Sequence, residues 1–480
     1  MDLARLTLAG LREVIRTRKA TPVDAVEAIR AAVETRDDRV KGYIGLDFDT
    51  ALAEAREVDI SLPLGGIPIA IKDLINVRNQ PCSCGSKMLA GTYRSPYDAT
   101  VIRKLREAGA IPLGRTNMDE FAMGSSTENS GIQLSRNPWD LDRSPGGSSG
   151  GAAAVIAADS AIAALGSDTG GSIRQPASFC GTVGLKPTYG RVSRYGVVAF
   201  ASSLDQIGPI TKTVEDAALL LKAIAGADPH DSTALRAPVP DYAAGLTGDL
   251  KGLRVGLPKE YFIAGTSPGV RDAVDAGIRK LEELGAELVE VSLPHTDPAV
   301  AVYYILATAE ASANLARFDG VRYGHRAEGI SDLGEHYRKS RSEGFGAEVK
   351  RRIILGTYVL SSGYHDQYYT RAQQVRTLIR RDFEEVFTKV DVIASPASPS
   401  TAFRIGELAN DPLHMYLADV FTIAANLGGI CGISVPCGFS EEMPVGMQLL
   451  GPALGEPVVL RTAHAYEQAT EWHLRRPKVP

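Results

Sequence analysis

Two glycine-rich serine clusters constrain the fold of this chain more than any other feature. The first has the sequence SPGGSSGG at 144–151, and the second has DTGGS at 168–172. The apolar run AAAVIAA follows the first cluster, and AIAALG precedes the second. These runs predict a helix and then a short buried strand that ends at Gly166. Both clusters therefore fall at boundaries between secondary-structure elements.

Helices and short strands also alternate upstream of the clusters. Residues 5–60 carry apolar residues at helical spacing and predict two or three helices. The apolar run 67–71 predicts a buried strand with Lys72 at its exit. A helix near 98–109 and a strand at 110–116 follow. This alternation predicts an α/β layered core.

The length of 480 residues allows either several domains or one large α/β domain. Residues 235–300 carry a helix at about 268–284 and could form a separate βαβ unit. No Pro/Ser-rich linker or charge run isolates that stretch, and no internal repeat is visible. We therefore expect one domain over 1–480, with N-terminal helices at about 1–60, a catalytic core at about 61–230 and 390–480, and a helical elaboration at about 260–390.

Composition indicates a globular protein and excludes several function classes. Hydrophobic residues make up 44% and charged residues 23%, and the net charge of −5 gives no global field for RNA or anionic lipid. Five cysteines fit reduced thiols better than a disulfide framework, and no Cys/His spacing is typical of a metal site. The N-terminal stretch lacks the apolar run of a signal peptide. We expect a cytoplasmic protein with no metal and no membrane association.

The serine clusters allow three interpretations. A flexible Gly/Ser linker is the common one, but linkers do not usually run straight into an apolar helix or recur at the end of an apolar strand. A phosphate cradle would use free N–H groups at a helix start, but no GK[ST] follows and no strand precedes the first cluster. The third interpretation is a nucleophilic serine.

Two serines compete as the nucleophile. Ser148 matches GxSxG, but a nucleophile elbow needs an entering strand, and NPWDLDRSP precedes this match. Ser172 follows Gly170 and Gly171, which permit a tight turn whose amides from Thr169 to Ser172 converge as an oxyanion hole. We expect Ser172 to be the nucleophile.

A serine nucleophile needs a base, and neither cluster contains a histidine. Ser–Lys arrangements are an established alternative when the lysine is neutral enough to accept a proton. Lys72 leaves an apolar strand, and burial lowers the pKa of a lysine. Lys72 is therefore the candidate base.

Lys72, Ser148 in GGSSGG and Ser172 in DTGGSIRQPA resemble the lysine, bridging serine and nucleophilic serine of the amidase signature family. The resemblance covers nearly the whole chain. Segments such as NMDEFAMGSSTENS and VKRRIILGTYVLSSGY resemble one branch in particular, the glutaminase subunits of tRNA-dependent amidotransferases. The family implies an α/β fold with a mixed central sheet covered by helices on both faces.

The resemblance also implies a mechanism and partners. Ser148, in a cis peptide in the family, would pass the proton of Ser172 to Lys72 while Ser172 attacks the carboxamide of glutamine. Ammonia would pass to a B subunit that holds ATP and Mg²⁺ and amidates an acyl-tRNA, and a small C subunit would help clasp the two. No cofactor is expected on this chain. Glu-tRNA(Gln) and Asp-tRNA(Asn) both remain open as acceptors.

Glutamine recognition requires a cation for the α-carboxylate and an anion for the α-ammonium group. By similarity of segments, Arg352 and Asp419 resemble the family's pair, with Arg351 as the alternative arginine. Tyr303 or Tyr304 is expected to line the same pocket. A surface arginine, a helix-initiating aspartate and core tyrosines are the structural alternatives for these residues.

Two other functions stay open. A free-standing amidase of aryl or alkyl amides would use the same three catalytic residues without partners, but it would not need the segments around Arg352 and Asp419. A non-catalytic assembly protein would retain the fold alone, and the presence of Lys72, Ser148 and Ser172 argues against it. Gly429 and Cys431 depart from the family pattern and put details of the substrate pocket and the channel mouth in doubt.

Overall fold

The computed structural model describes residues 1–262 and 265–478. Eleven strands form one sheet: β1 (Tyr43–Gly45), β2 (Pro68–Lys72), β3 (Ile111–Thr116), β4 (Ala163–Asp168), β5 (Val183–Lys186), β6 (Gln206–Thr211), β7 (Arg254–Pro258), β8 (Glu287–Val291), β9 (Val392–Pro396), β10 (Cys431–Ser440) and β11 (Met443–Gly451). Their order across the sheet is β1-β3-β2-β4-β6-β5-β10-β11-β9-β7-β8. Parallel and antiparallel pairs both occur, so the expected mixed α/β sheet is confirmed.

Fifteen α-helices occur in the described residues. They are α1 (Leu8–Arg16), α2 (Pro22–Val40), α3 (Phe48–Glu57), α4 (Thr100–Glu107), α5 (Gly150–Ala157), α6 (Arg174–Cys180), α7 (Val214–Ile224), α8 (Pro268–Glu283), α9 (Ala299–Asn314), α10 (Leu333–Gly344), α11 (Ala347–Val359), α12 (Arg371–Val386), α13 (Pro412–Leu417), α14 (Ile423–Gly428) and α15 (Glu456–Gln468). Short 3-10 turns include Glu120–Ala122 and Leu315–Arg317.

Local sequence sets several helix starts. Thr21 and Asp24 form a reciprocal capping box at α2, where each side chain accepts the backbone N–H of the other, and Pro22 occupies the first helical position. Periodicity predicted two or three helices over residues 5–60, and three α-helices form there, with the short β1 between the second and the third.

The centre of the sheet places the two serine clusters beside Lys72. β2 pairs in parallel with β4, and every residue of both strands is buried. Parallel strands end at the same edge, so Lys72 at the end of β2 lies near Asp168 at the end of β4. The second cluster leaves that same edge directly after β4.

The stretch that resembles a βαβ unit belongs to the same sheet. β7 and β8 pair in parallel, and β7 also pairs in parallel with β9 through Val255 and Val392. This pairing places β8 at the edge of the sheet, and α8 packs on β10. No separate sheet forms in the described residues.

One helical stretch of the described chain, Ala299–Arg317, has the length and hydropathy of a membrane-spanning helix. Half of its apolar window is buried inside the fold, and it contains α9, which packs against α11 and α12. A core helix can have the same length and composition. Here the helix buries Tyr303 against Gly170.

Candidate active site

Lys72 lies at the bottom of the site and is fully buried. Its Nζ atom is 2.7 Å from Ser148 Oγ, 2.8 Å from Ser149 Oγ and 2.9 Å from Ser167 Oγ. The structure thus brings together the lysine and the bridging serine expected from the sequence. It also adds two hydroxyl groups that hold the same amine.

The surroundings of Lys72 make it a feasible base. Burial lowers the pKa of its ammonium group to about 7, and the nearby carboxylates of Asp119, Asp168 and Asp205 act in the opposite direction. A group with this pKa is about half neutral at pH 7. The lone pair of the neutral amine can accept a proton from Ser148.

Ser148 lies in a loop that packs tightly against Gln175 and Asp119. The Gly147–Ser148 peptide is cis, and the Gly147 amide donates to Gln175 Oε1 at 3.0 Å. A side chain at Gly147 would overlap Asp119 Oδ2, so this approach requires glycine. No strand lies between Thr116 and the start of α5 in the described chain, so the nucleophile-elbow context is absent, as expected.

Ser172 lies on the turn that follows β4 and is 7% exposed. Its carbonyl oxygen accepts the Ser149 amide at 3.2 Å, which joins the two serine clusters. Among the described residues, no protein acceptor pairs with the amides from Thr169 to Ser172. These four N–H groups thus have no competing acceptor in the described chain, which is compatible with the oxyanion-hole role predicted for them.

Gly170 and Gly171 bring the substrate-binding candidates to this turn. A Cβ atom on Gly170 would lie 2.7 Å from Tyr303 Cζ, and one on Gly171 would overlap Thr422 Oγ1 and lie 3.1 Å from Asp419 Oδ1. Gly171 also has a φ of 142°, which side chains rarely adopt. Glycine at both positions therefore lets Tyr303 and Asp419 approach the backbone.

A buried ion pair between Arg174 and Asp168 stabilises the turn that carries Ser172. The guanidinium of Arg174 donates twice to Asp168 at 3.0 Å, and the Ile173 amide donates to the same carboxylate at 3.2 Å. Burial raises the pKa of Asp168, but the Arg174 charge and hydrogen bonds outweigh it and hold that pKa at about 2. The carboxylate therefore stays ionised and holds α6 against the turn.

Asp419 is buried and only partly satisfied. Ser125 Oγ donates to Asp419 Oδ2, while Oδ1 has no hydrogen-bond partner in the described chain. Burial raises the pKa of this carboxyl to about 7, and the Ser125 hydrogen bond and the Arg352 charge act against that increase. An unpaired buried carboxylate oxygen at the catalytic turn is suited to an incoming cation.

Arg352 projects from α11 and is 3% exposed. Its Nε donates to Glu348 Oε1 at 2.8 Å, and its guanidinium carbon lies 5.2 Å from the ring centre of Tyr304 and 5.5 Å from that of Tyr416. The Arg351 side chain is 45% exposed, so Arg352 is the arginine that enters the interior. Tyr303 faces the glycine turn, while Tyr304 packs against Arg352.

Sequence reasoning missed several residues of the site. The motif favours Ser148 over Ser149, yet both hydroxyls contact Lys72. Glu348 lies four residues before Arg352, a helical spacing that indicates such a pair. The remaining missed contacts are made by Ser125, Ser167, Tyr416 and Thr422.

The two residues of the NLGGICGISVP stretch that depart from the family pattern lie outside the catalytic turn. Gly429 ends α14 with a φ of 70°, and Cys431 begins β10, where its thiol donates to the carbonyl of Pro452 at 3.3 Å. Within the described part of the chain, neither makes a hydrogen bond to a catalytic candidate. All five cysteines are buried and outside disulfides.

Comparison with known proteins supports the resemblance drawn from the motifs. The family model described as Amidase matches residues 24–460. The A subunit of glutamyl-tRNA(Gln) amidotransferase from Methylacidiphilum infernorum is 59% identical over 474 residues, covering 98% of this chain and 96% of that protein.

Two solved structures share the fold over almost their whole length. The crystal structure of the A subunit of glutamyl-tRNA(Gln) amidotransferase from Thermotoga maritima is 41% identical, with a TM-score of 0.85 over 100% of this chain and 99% of that one. A peptide amidase from Stenotrophomonas maltophilia is 30% identical, with a TM-score of 0.85 over 99% of each chain. On this evidence the chain belongs to the amidase family.

Proposed function

We propose that this protein is the glutaminase subunit of a tRNA-dependent amidotransferase, hydrolysing glutamine to glutamate and ammonia. The observation that carries the proposal is the unpaired, buried Asp419 Oδ1 beside the turn of Ser172. This anion, with the buried cation of Arg352 nearby, suits the two charged groups of an amino acid. An aryl or alkyl amide has no use for either charge.

In the proposed reaction, neutral Lys72 accepts the Ser148 hydroxyl proton while Ser148 accepts the proton of Ser172. The Ser172 oxygen attacks the carboxamide carbon of glutamine, and the amides of the Gly170–Gly171 turn donate to the developing oxyanion. The protonated lysine returns its proton through Ser148 to the nitrogen, and the C–N bond breaks to release ammonia. Water then hydrolyses the glutamyl ester by the same relay and frees Ser172.

The ammonia is used elsewhere in a multi-subunit complex. The relatives named as A subunits of an amidotransferase support such an assembly. We propose that a B subunit with ATP and Mg²⁺ converts Glu-tRNA(Gln) to Gln-tRNA(Gln), Asp-tRNA(Asn) to Asn-tRNA(Asn), or both, and that a C subunit stabilises the complex. This chain itself needs no cofactor for the relay. Cysteines outside disulfides support a cytoplasmic location.

Ammonium rescue tests the two-site arrangement. We expect Ser172→Ala, reconstituted with B and C subunits, to form no amidated tRNA from glutamine but to form it from ammonium chloride. The matched control is the wild-type complex, which should use both nitrogen sources. Failure of ammonium to rescue a complex that still binds acyl-tRNA and ATP contradicts the proposal.

Substrate range separates the free-standing amidase from the glutaminase. We expect the isolated chain to hydrolyse glutamine slowly, and acyl-tRNA, ATP and the partner subunits to increase the rate, because the acceptor is then present to use the ammonia. Brisk hydrolysis of aryl or alkyl amides by the isolated chain would support the other function.

A further inference from the structure

One short segment, 119–125, contacts both the catalytic residues and the residues proposed to bind glutamine. It belongs to the motif NMDEFAMGSSTENS, whose residues transfer no proton in the relay described above. Asp119 Oδ2 lies where a Cβ atom on Gly147 would be, Glu120 accepts the Gly346 amide, and Ser125 donates to Asp419. The segment thus touches the loop of Ser148, the start of α11 and the aspartate candidate.

Glu120 is the member of this segment that reaches α11. Its side chain is buried, and its Oε2 accepts the Gly346 amide at 2.8 Å while its Oε1 accepts the Ser86 hydroxyl at 2.5 Å. A Cβ atom on Gly346 would lie 2.5 Å from Glu120 Oε2. Glycine at 346 therefore lets the carboxylate sit directly against the helix start.

The start of α11 has no cap of its own. Gly346 is the N-cap residue and carries no side chain, whereas the neighbouring α10 is capped by Asp332, which accepts the Glu335 amide at 2.7 Å. The first amides of a helix need acceptors, and the helix dipole favours an anion there. Glu120 supplies the acceptor from 226 residues away in the chain. Burial raises the pKa of its carboxyl to about 7, so the group is only partly ionised at neutral pH.

We infer that Glu120 is a positioning residue that fixes α11, and through it Arg352, for binding the α-carboxylate of glutamine. Arg352 lies on the second turn of α11, beside Glu348 on its first turn. A shift at the helix start moves both residues, while the relay of Lys72 and Ser148 rests on β2 and the loop before α5. The inference rests on the proposed glutaminase function.

The test measures steady-state glutamine hydrolysis by the reconstituted complex. We expect Glu120→Ala to raise KM for glutamine about tenfold while kcat falls less than about threefold, because ground-state binding is lost and the relay is intact. Glu120→Gln should restore most of the affinity. Its amide oxygen can accept the Gly346 amide, and Ser86 can turn its hydroxyl to the Gly344 carbonyl at 3.3 Å.

A second variant disturbs the same contact from the other partner. Gly346 has a φ of −72°, so Gly346→Ala adds no backbone strain and only displaces the Glu120 carboxylate. The same increase in KM is expected. The control is Asp332→Ala, which removes the cap of α10 and should lower Tm without changing KM.

Ser172 reactivity toward a sulfonyl fluoride that carries no carboxylate provides an independent readout. All variants should be modified at the wild-type rate. Three results would overturn the inference. They are an unchanged KM in Glu120→Ala and Gly346→Ala, a decrease in kcat as large as the increase in KM, and a KM in Glu120→Gln that stays as high as in Glu120→Ala. If Glu120→Ala does not fold, the Gly346→Ala and Glu120→Gln results decide. Absence of Ser172-dependent hydrolysis in the wild-type complex would instead refute the proposed function.

Discussion

The side of the site that carries Lys72 and the side that carries Arg352 are built by different parts of the fold. Lys72, Ser148 and Ser172 lie within about a hundred residues on strand ends and turns of the central sheet. Tyr303 and Arg352 lie on helices α9 and α11, and Asp419 follows α13. Lys72, Ser148 and Ser172 are held in place by the backbone of the sheet and its turns and lie among several hydroxyl groups. Tyr303, Arg352 and Asp419 are brought together by the packing of helices that are far apart in the sequence.

This difference assigns distinct tasks to the two sides. Lys72 contacts three serine hydroxyls within 3 Å, an arrangement suited to moving protons. Asp419 and Arg352 carry opposite charges, an arrangement suited to orienting a zwitterion. Variants on the first side should therefore change kcat, and variants on the second should mainly change KM.

The largest effect is expected at Lys72. Lys72→Arg should reduce kcat by about 10³-fold or more, as severely as Lys72→Ala, because arginine keeps the charge but cannot accept a proton at ordinary pH. Glutamine hydrolysis by the purified complex measures it, with circular dichroism as the control for folding. Retention of most activity by the arginine variant would mean that residue 72 acts through its charge.

The next largest effect is expected at Asp419. Asp419→Asn keeps the size of the side chain and removes the negative charge, so KM for glutamine should increase by about 10²-fold. Initial rates over a range of glutamine concentrations measure it. Ammonium-dependent amidation by the same complex is the control and should not change. A kcat loss with unchanged KM would place Asp419 among the catalytic groups.

Acidification should lower kcat through Lys72 and raise KM through Asp419, so both changes reduce kcat/KM. Lys72 acts as a base only when neutral, and its pKa is lowered to about 7, so kcat should fall about tenfold for each pH unit below that value. Asp419 binds an ammonium group only when ionised, and its pKa is raised to about 7, so KM should increase over the same range. Measuring kcat and KM against pH in the wild type and in Asp419→Asn separates the two effects. The variant should lose the pH dependence of KM and keep that of kcat.

The smallest effect is expected at Arg351, the neighbour of Arg352. Arg351→Ala should change kcat/KM less than about twofold, because this side chain is 45% exposed and its partner Glu348 keeps its bond to Arg352. Arg352→Ala in the same assay should raise KM. Equal effects of the two substitutions would contradict the assignment of the buried arginine.

The two sides also differ in how far the sequence could predict them. Lys72, Ser148 and Ser172 stand at a strand end and at glycine turns, where local motifs restrict the backbone and make them recognisable. The parallel pairing of β2 and β4, which brings Lys72 and the turn of Ser172 to the same edge of the sheet, was not predicted. Ser125 contacts Asp419, which lies 294 residues further along the chain, and Glu120 contacts Gly346, which lies 226 residues further along. No local spacing in the sequence indicates such contacts. The neighbourhood of Arg352 depends on the packing of α9 and α11.

The most direct test of this account is the mass-spectrometric identification of the residue labelled by a glutamine-derived diazoketone in the reconstituted complex. We expect one adduct on the peptide that contains Ser172, its loss in Ser172→Ala, and slower labelling in Asp419→Asn at equal reagent concentration. This result would place the electrophilic carbon at Ser172 and the amino-acid end at Asp419. An adduct on Ser148, or a labelling rate that does not depend on Asp419, would contradict the account.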